Sequence, residues 1–190
     1  PDQDENFRLL EINLLLDRDH DERALQAANE ALESFPGNVR IRYARAMLLD
    51  SMDKPEQAEA DLRTIIEEQP DNAVALNALG YILTTRTDRL DEARDYIERA
   101  LAIDPENPAI LDSMGWVLFL EGQIEPALDY LSRAWAAFPD PEVAAHYGEA
   151  LGMNGAEEQA RIIWQEGLEQ DSDHEVRRET INRLTNGGGP

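Results

Sequence analysis

The chain has no cysteine, which excludes disulfide bonds, thiolate nucleophiles and cysteine metal ligands. That absence leaves the compartment open, because cytosol and periplasm both accommodate a cysteine-free protein. Positive charge is also scarce. Against 40 acidic residues there are 17 basic ones, Lys54 is the only lysine, and the net charge is −23 with a pI near 4.3. Without a basic stripe there is nothing to displace counterions from phosphates, so nucleic acid is excluded as a partner. The acid surplus fits plain solubility or a basic protein partner. Aromatic residues make up only 6% of the 190 residues. The longest apolar run, Trp116-Val117-Leu118-Phe119-Leu120, is far shorter than the roughly 20 residues of a membrane-spanning helix. No methionine and no signal-like segment opens the sequence at Pro1. The expectation is a mature chain or an excised domain whose targeting segment has been removed.

What is present is a repeat. Leu79-Gly80-Tyr81 returns 35 residues later as Met114-Gly115-Trp116. Prolines 36, 70, 105 and 139 divide the chain into units at 5–38, 39–72, 73–107, 108–140 and 141–174, with Ser172 in the proline slot of the last. Each unit carries a small residue early in its second half, at Ala24, Ala58, Ala93, Ala127 and Ala160. Seven residues further on come Ala31, Ile65, Ala100, Ala134 and Gly167. The first halves repeat the device at Ala46, Gly80, Gly115 and Gly148. Small side chains let two helices approach to roughly 8–10 Å, and a period near 34 with this pattern predicts stacked helix–turn–helix units. Asn38, Asn72, Asn107 and Asp140 are placed to cap the first helices, with Pro108 and Pro141 at the following position. Gly122 and Gly155 mark tight turns, and Thr84-Thr85-Arg86-Thr87-Asp88 reads as a longer turn that absorbs the extra residue of the third unit.

These residues resemble the tetratricopeptide repeat (TPR) family over nearly the whole length of the chain. The resemblance implies an all-α, right-handed superhelical solenoid of about five repeats, forming one domain over residues 1–186. A capping helix is expected at 175–185, where Ser172 and Glu175 read as a capping box and Val176, Thr180, Ile181 and Leu184 share one face. Residues 187–190, Gly-Gly-Gly-Pro, read as a flexible tail, and together with the capping helix they suggest a natural chain end. The first two units fit less well. Arg8, Glu11, Arg42 and Arg45 occupy slots where the family pattern has large apolar residues. The expectation is either that those helices are rotated or, preferred, that they pack against protein preceding Pro1.

The resemblance also implies that fixed positions of each first helix line a concave groove. Carried onto this chain they are Leu9, Asn13 and Leu16; Arg40, Tyr43, Met47 and Asp50; Asn77, Tyr81, Thr84 and Thr85; Asp112, Trp116, Phe119 and Leu120; and Ala145, Glu149 and Met153. Half-exposed, Tyr43, Tyr81, Trp116 and Phe119 would present roughly 300–500 Å². With Met47, Leu120 and Met153 added, that exceeds the roughly 300–600 Å² apolar patch of an ordinary monomer. Tyr81 and Trp116 equally fit the space between adjacent helices, and spacing alone leaves both readings open. The protein-binding candidates are therefore Tyr43, Met47, Asn77, Tyr81, Asp112, Trp116, Phe119, Leu120, Glu149 and Met153. Arg40 is the only cation at these slots, which disfavours the two-carboxylate clamp of co-chaperone repeats.

Chemistry finds no foothold. Asp17, Asp19 and Asp21 imitate the start of a calcium loop, but Glu22 replaces its glycine and Ala28 its final glutamate. His20 lies in the first unit, and His146 and His174 stand at opposite ends of the fifth, so no pair has metal-ligand spacing on one helix face. There is no glycine-rich phosphate loop, and no serine or histidine has an evident activating neighbour. Glu67-Glu68 and Glu157-Glu158 fall where helices face solvent. No catalysis, metal or cofactor is expected.

A narrower resemblance covers residues 77–151. Asn77-Ala78-Leu79-Gly80-Tyr81, Arg86-Thr87-Asp88-Arg89, Asp112-Ser113-Met114-Gly115-Trp116-Val117 and Pro139-Asp140-Pro141-Glu142-Val143-Ala144-Ala145-His146 are similar to a Gram-negative TPR family. Gly122-Gln123 and Glu125-Pro126 depart from it locally in a turn. Its best-known kind of member is an outer-membrane lipoprotein that binds a periplasmic C-terminal processing protease. The resemblance implies a non-catalytic adaptor that presents peptidoglycan endopeptidases to that protease. It also implies a periplasmic location, with membrane attachment only through a lipid anchor outside this chain, although a cytoplasmic location is compatible with the composition. Two alternatives remain: a substrate-docking TPR region of a larger enzyme such as a glycosyltransferase, and a scaffold that self-associates through its first unit.

Overall fold

A computed structural model describes residues 2–16, 18 and 20–170, and among them are ten α-helices and no strand. In chain order they are α1 (Asp2–Leu16), α2 (Asp21–Ser34), α3 (Val39–Ser51), α4 (Pro55–Glu68), α5 (Ala73–Arg86), α6 (Leu90–Ile103), α7 (Pro108–Leu120), α8 (Ile124–Ala137), α9 (Pro141–Met153) and α10 (Glu157–Gln170). Each odd-numbered helix packs on the even-numbered one that follows it, and each pair stacks on the next. Odd helices also touch one another along the stack, α1 to α3, α5 to α7 and α7 to α9. The odd helices therefore form an inner layer and the even ones an outer layer, which is what curves a solenoid. The capping helix, the Ser172–Glu175 capping box, His174 and the tail, along with Asp17 and Asp19, lie outside the described residues.

Local chemistry sets the helix ends. The side chains of Asn38, Asn72, Asn107 and Asp140 accept the backbone N–H groups of Ile41, Ala75, Ala109 and Glu142, each satisfying an otherwise orphaned donor. Pro36, Pro70, Pro105 and Pro139 each stand two residues beyond the last residue of an outer helix, directly after its C-cap, where proline blocks continuation. Gly122 and Gly155 both take φ of +79° in the turns after α7 and α9, a conformation glycine adopts without a steric penalty. Asn72→Ala is expected to lower stability by about 1 kcal/mol, readable as an earlier urea midpoint in far-ultraviolet circular dichroism.

The repeated small residues sit between helices. Ala24, Ala58, Ala93, Ala127 and Ala160 are all at most 1% exposed, and Gly80, Gly115 and Gly148 lie against Ile97, Leu131 and Trp164. A continuous apolar core runs from Ala46 to Ala150, whereas α1, α2 and the start of α3 bury a separate cluster around Ile12, Ala28 and Ile41.

One departure from the family pattern has a partner within the chain, and one sequence expectation, for the third unit, is corrected. Arg42 and Arg45 both converge on Asp61 of α4, only 5% exposed. Arg45 holds it in a fork, Nε–Oδ2 2.7 Å and Nη2–Oδ1 2.6 Å, and reaches Asn29 of α2 through Nη1. A bidentate guanidinium–carboxylate pair replaces the apolar contact. Arg8 pairs with Glu11 on its own helix at 3.0 Å. In the third unit, Thr84, Thr85 and Arg86 belong to α5, which has 14 residues where α3, α7 and α9 have 13. The Thr84 and Thr85 hydroxyls donate to the carbonyls of Gly80 and Tyr81, the back-bonding that lets threonine remain in a helix. Arg86 is held by Asp50 of α3 at 3.0 Å.

Candidate functional site: the concave groove

The inner layer leaves a groove of about 670 Å³. Successive turns of α3 and α5 aim side chains into it, because residues four apart share a face. Tyr43, Met47 and Asp50 enter from α3, Val74, Asn77 and Tyr81 from α5, Asp112 from α7, and Phe138, Asp140, Glu142 and Val143 from the corner between α8 and α9. Val74 and Phe138 are 54% and 58% exposed, so the lining offers accessible apolar surface as well as carboxylates. Asn77 is half-buried, and its Oδ1 is enclosed with no hydrogen-bond partner.

Behind the groove lies a connected polar and aromatic cluster. The His146 ring, 8% exposed, approaches both carboxylate oxygens of Asp112, at 2.9 and 3.1 Å from Nδ1. The Trp116 indole stacks on that ring at 4.1 Å and 16°, and Phe119 stacks on Trp116 at 5.1 Å and 14°. The Tyr81 hydroxyl donates to Glu142, tying the third unit to the fifth across the intervening one. Burial opposes a charged imidazole, but the Asp112 carboxylate, helped by Glu142 and Glu149, outweighs it and raises the His146 pKa. Burial, then Glu142, pushes the Tyr81 phenol well above its ordinary value, and burial does the same to Tyr43. Both phenols stay protonated, and that of Tyr81 is the donor to Glu142.

Of the sequence candidates, Tyr43, Met47, Asn77, Tyr81 and Asp112 are brought together in the groove lining. Trp116 sits between His146 and Phe119, half-buried, and Phe119 packs onto the central core. Leu120 and Met153, at 42% and 70% exposure, project near the ends of α7 and α9, away from that lining. Glu149 is half-buried on α9, where its charge acts on His146. Arg40 is exposed and hydrogen-bonded to Asn6, so it brings no cation to the lining. Sequence reasoning missed Val74, Phe138, Glu142, Val143 and His146. One signal was available for the histidine, since its register in the two preceding units holds only Ala78 and Ser113. Among the described residues no group of three or more histidine, aspartate or glutamate side chains could hold a metal ion. No helix there is long and apolar enough to cross a membrane.

Stacked helical pairs around a concave groove define a helical-repeat interaction protein. The chain belongs to the tetratricopeptide repeat family, whose profiles match residues 43–108 and 86–147 and together span more than half of it. Over its entire length it is 44% identical to the TPR repeat-containing protein PA4667 of Pseudomonas aeruginosa, of which it spans 32%. It is 28% identical over 171 residues, 86% of the chain, to the human protein O-mannosyl-transferase TMTC1, of which it covers 19%. The chain thus spans about a third of the Pseudomonas relative and a fifth of the human one. Among solved structures, TTC0263, a TPR protein of Thermus thermophilus, superposes with a TM-score of 0.81 at 19% identity, covering 94% of this chain and 97% of that one. The type IV pilus biogenesis factor PilW gives 0.79 at 21% identity, covering 98% of this chain and 88% of its own. At such identities these likenesses show the fold alone. The fold implies a role in protein–protein interaction, in a class that is generally scaffolding rather than catalytic.

Proposed function

We propose that the chain is a non-catalytic adaptor that holds a client protein in the concave groove. The supporting observation is the groove itself, where Tyr43, Met47, Val74 and Phe138 give an apolar lining bordered by polar groups able to fix register. The clients in this reading are peptidoglycan endopeptidases, presented to a periplasmic C-terminal processing protease. The location is periplasmic, with outer-membrane anchoring supplied outside the 190 residues. The support for this finer assignment is the set of four sequence runs between residues 77 and 146.

The test is calorimetric titration of the chain with a purified periplasmic peptidoglycan endopeptidase, beside the Tyr43→Ala and Phe138→Ala variants. Micromolar or tighter binding is expected, weakened about tenfold or more by each truncation, as for an anchor residue, with helical circular dichroism unchanged. Undiminished binding by both variants would exclude the groove, and no binding by the unaltered chain would exclude this client. A second reading, a substrate-docking region of a larger enzyme, is favoured by the similarity to the human transferase over 86% of the chain. A catalytic domain in the same polypeptide would decide for it.

A further inference from the structure

We propose that the groove selects a partner segment carrying an arginine or lysine flanked by apolar side chains. This inference rests on the reading of the groove as the docking site. The charged groups that line it, Asp50, Asp112, Asp140 and Glu142, are all carboxylates, with no lysine or arginine among them. Two have cationic partners within the chain, Asp50 in Arg86 and Asp112 in His146. The other two, at the α8–α9 corner, have only neutral donors. Asp140 accepts the Glu142 backbone N–H at 2.9 Å, and Glu142 accepts the Tyr81 hydroxyl. Among the described residues neither makes an ion pair.

The N-terminus of α9 offsets this charge only in part. A helix end contributes roughly +0.5 of an elementary charge against two carboxylates, so the corner stays negative. Phe138, 58% exposed, and Val143 line the same corner. An arginine or lysine meets both demands at once, since its aliphatic stem covers apolar surface while its head reaches the carboxylates. Tyr43 and Tyr81 add ring faces, which attract cations. Asn77, which lines the groove, has an unpartnered Oδ1 that lacks a donor as well. An acidic segment would place like charges together at a site that offers it no cation.

The test needs no known client. A phage-displayed library of random 12-residue peptides is selected on the whole chain in about 0.15 M salt, where screening beyond about 8 Å suppresses attraction to the overall negative charge. Selected peptides are synthesised and their affinities measured for the unaltered chain and for Glu142→Gln, Phe138→Ala and Glu67→Gln. The amide of Glu142→Gln keeps an acceptor for Tyr81, and Glu67 is an exposed acid on the outer helix α4. The expected result is enrichment of arginine or lysine beside leucine, phenylalanine or tryptophan. Affinity is then lost at least fivefold with Glu142→Gln and with Phe138→Ala, and is unchanged with Glu67→Gln. Peptides without basic enrichment that still require Phe138 would overturn the charge preference while leaving the groove intact. Equal losses at Glu67 and Glu142 would reduce the effect to bulk charge and overturn it. Peptides indifferent to Phe138 and Glu142, or a library yielding no binder, would overturn both readings.

Discussion

Replacing His146 with alanine is expected to lower the stability of the chain at pH 6, below the ordinary imidazole value of about 6.5, by about 3–5 kcal/mol, the range for breaking a buried charge pair from one side. The loss comes mainly from what remains. Asp112 is 6% exposed, and His146 is the one cationic group that it contacts among the described residues. Without the imidazole the carboxylate is left without its partner in a buried site, and the Trp116 indole loses the ring it stacks on. His146→Gln, which retains a donor and most of the volume, is expected to lose less. The wild-type pair also carries a pH signature. Because the folded-state pKa of His146 is raised, its contribution is fully present below the unfolded value of about 6.5 and is lost as pH rises through the folded value. Urea unfolding across this window is therefore expected to show stability falling with pH in the wild type relative to His146→Gln, and a nuclear magnetic resonance titration of the imidazole locates the midpoint. A difference that grows with pH would reverse the assignment.

The repeat was legible because its constraint is local and recurs. Ala58, Ala93 and Ala127 must be small for the same reason in each unit, and Asn38, Asn72 and Asn107 each cap an inner helix by accepting a first-turn backbone N–H, three residues on for the first two and two residues on for the third. Where the chain departs from its own pattern, one sequence carries less. Arg45 and Asp61 stand 16 residues apart on different helices, a relation with no helical periodicity, so two arginines at apolar slots looked like a surface awaiting a neighbour. Trp116 occupies the same register as Tyr81, which favoured a groove position for both. Its stacking depends on His146, contributed by the next unit at a slot otherwise held by Ala78 and Ser113. Phe138 and Glu142 reach the groove through the α8–α9 corner, and no rule for positions within a helix describes a corner. The stack could be read from repetition, whereas the site depended on the residues that break it.

The interhelical glycines yield a prediction whose sign depends on position. A Cβ added at Gly80 would stand 2.4 Å from Ile97 Cγ1 and 2.9 Å from the Ala93 carbonyl oxygen, the second of which belongs to backbone and cannot swing away. At Gly152, also inside an inner helix, a Cβ would meet nothing within 4 Å. Alanine gains roughly 0.8–1 kcal/mol over glycine in a helix interior, while overpacking a close interface costs about 1–3 kcal/mol. Gly152→Ala is therefore expected to stabilise the chain, and Gly80→Ala to destabilise it, with a difference of about 1–3 kcal/mol between them, since the propensity gain is common to both. Gly80 also sits where α5 meets α6 in the middle of the array, and a solenoid holds together through nearest-neighbour contacts. Prising that pair apart weakens the coupling between the halves on either side. Denaturant unfolding of Gly80→Ala is thus expected to broaden or split into two steps while that of Gly152→Ala keeps the wild-type slope. Two variants that both stabilise would show that α5 and α6 have room the structure does not give them.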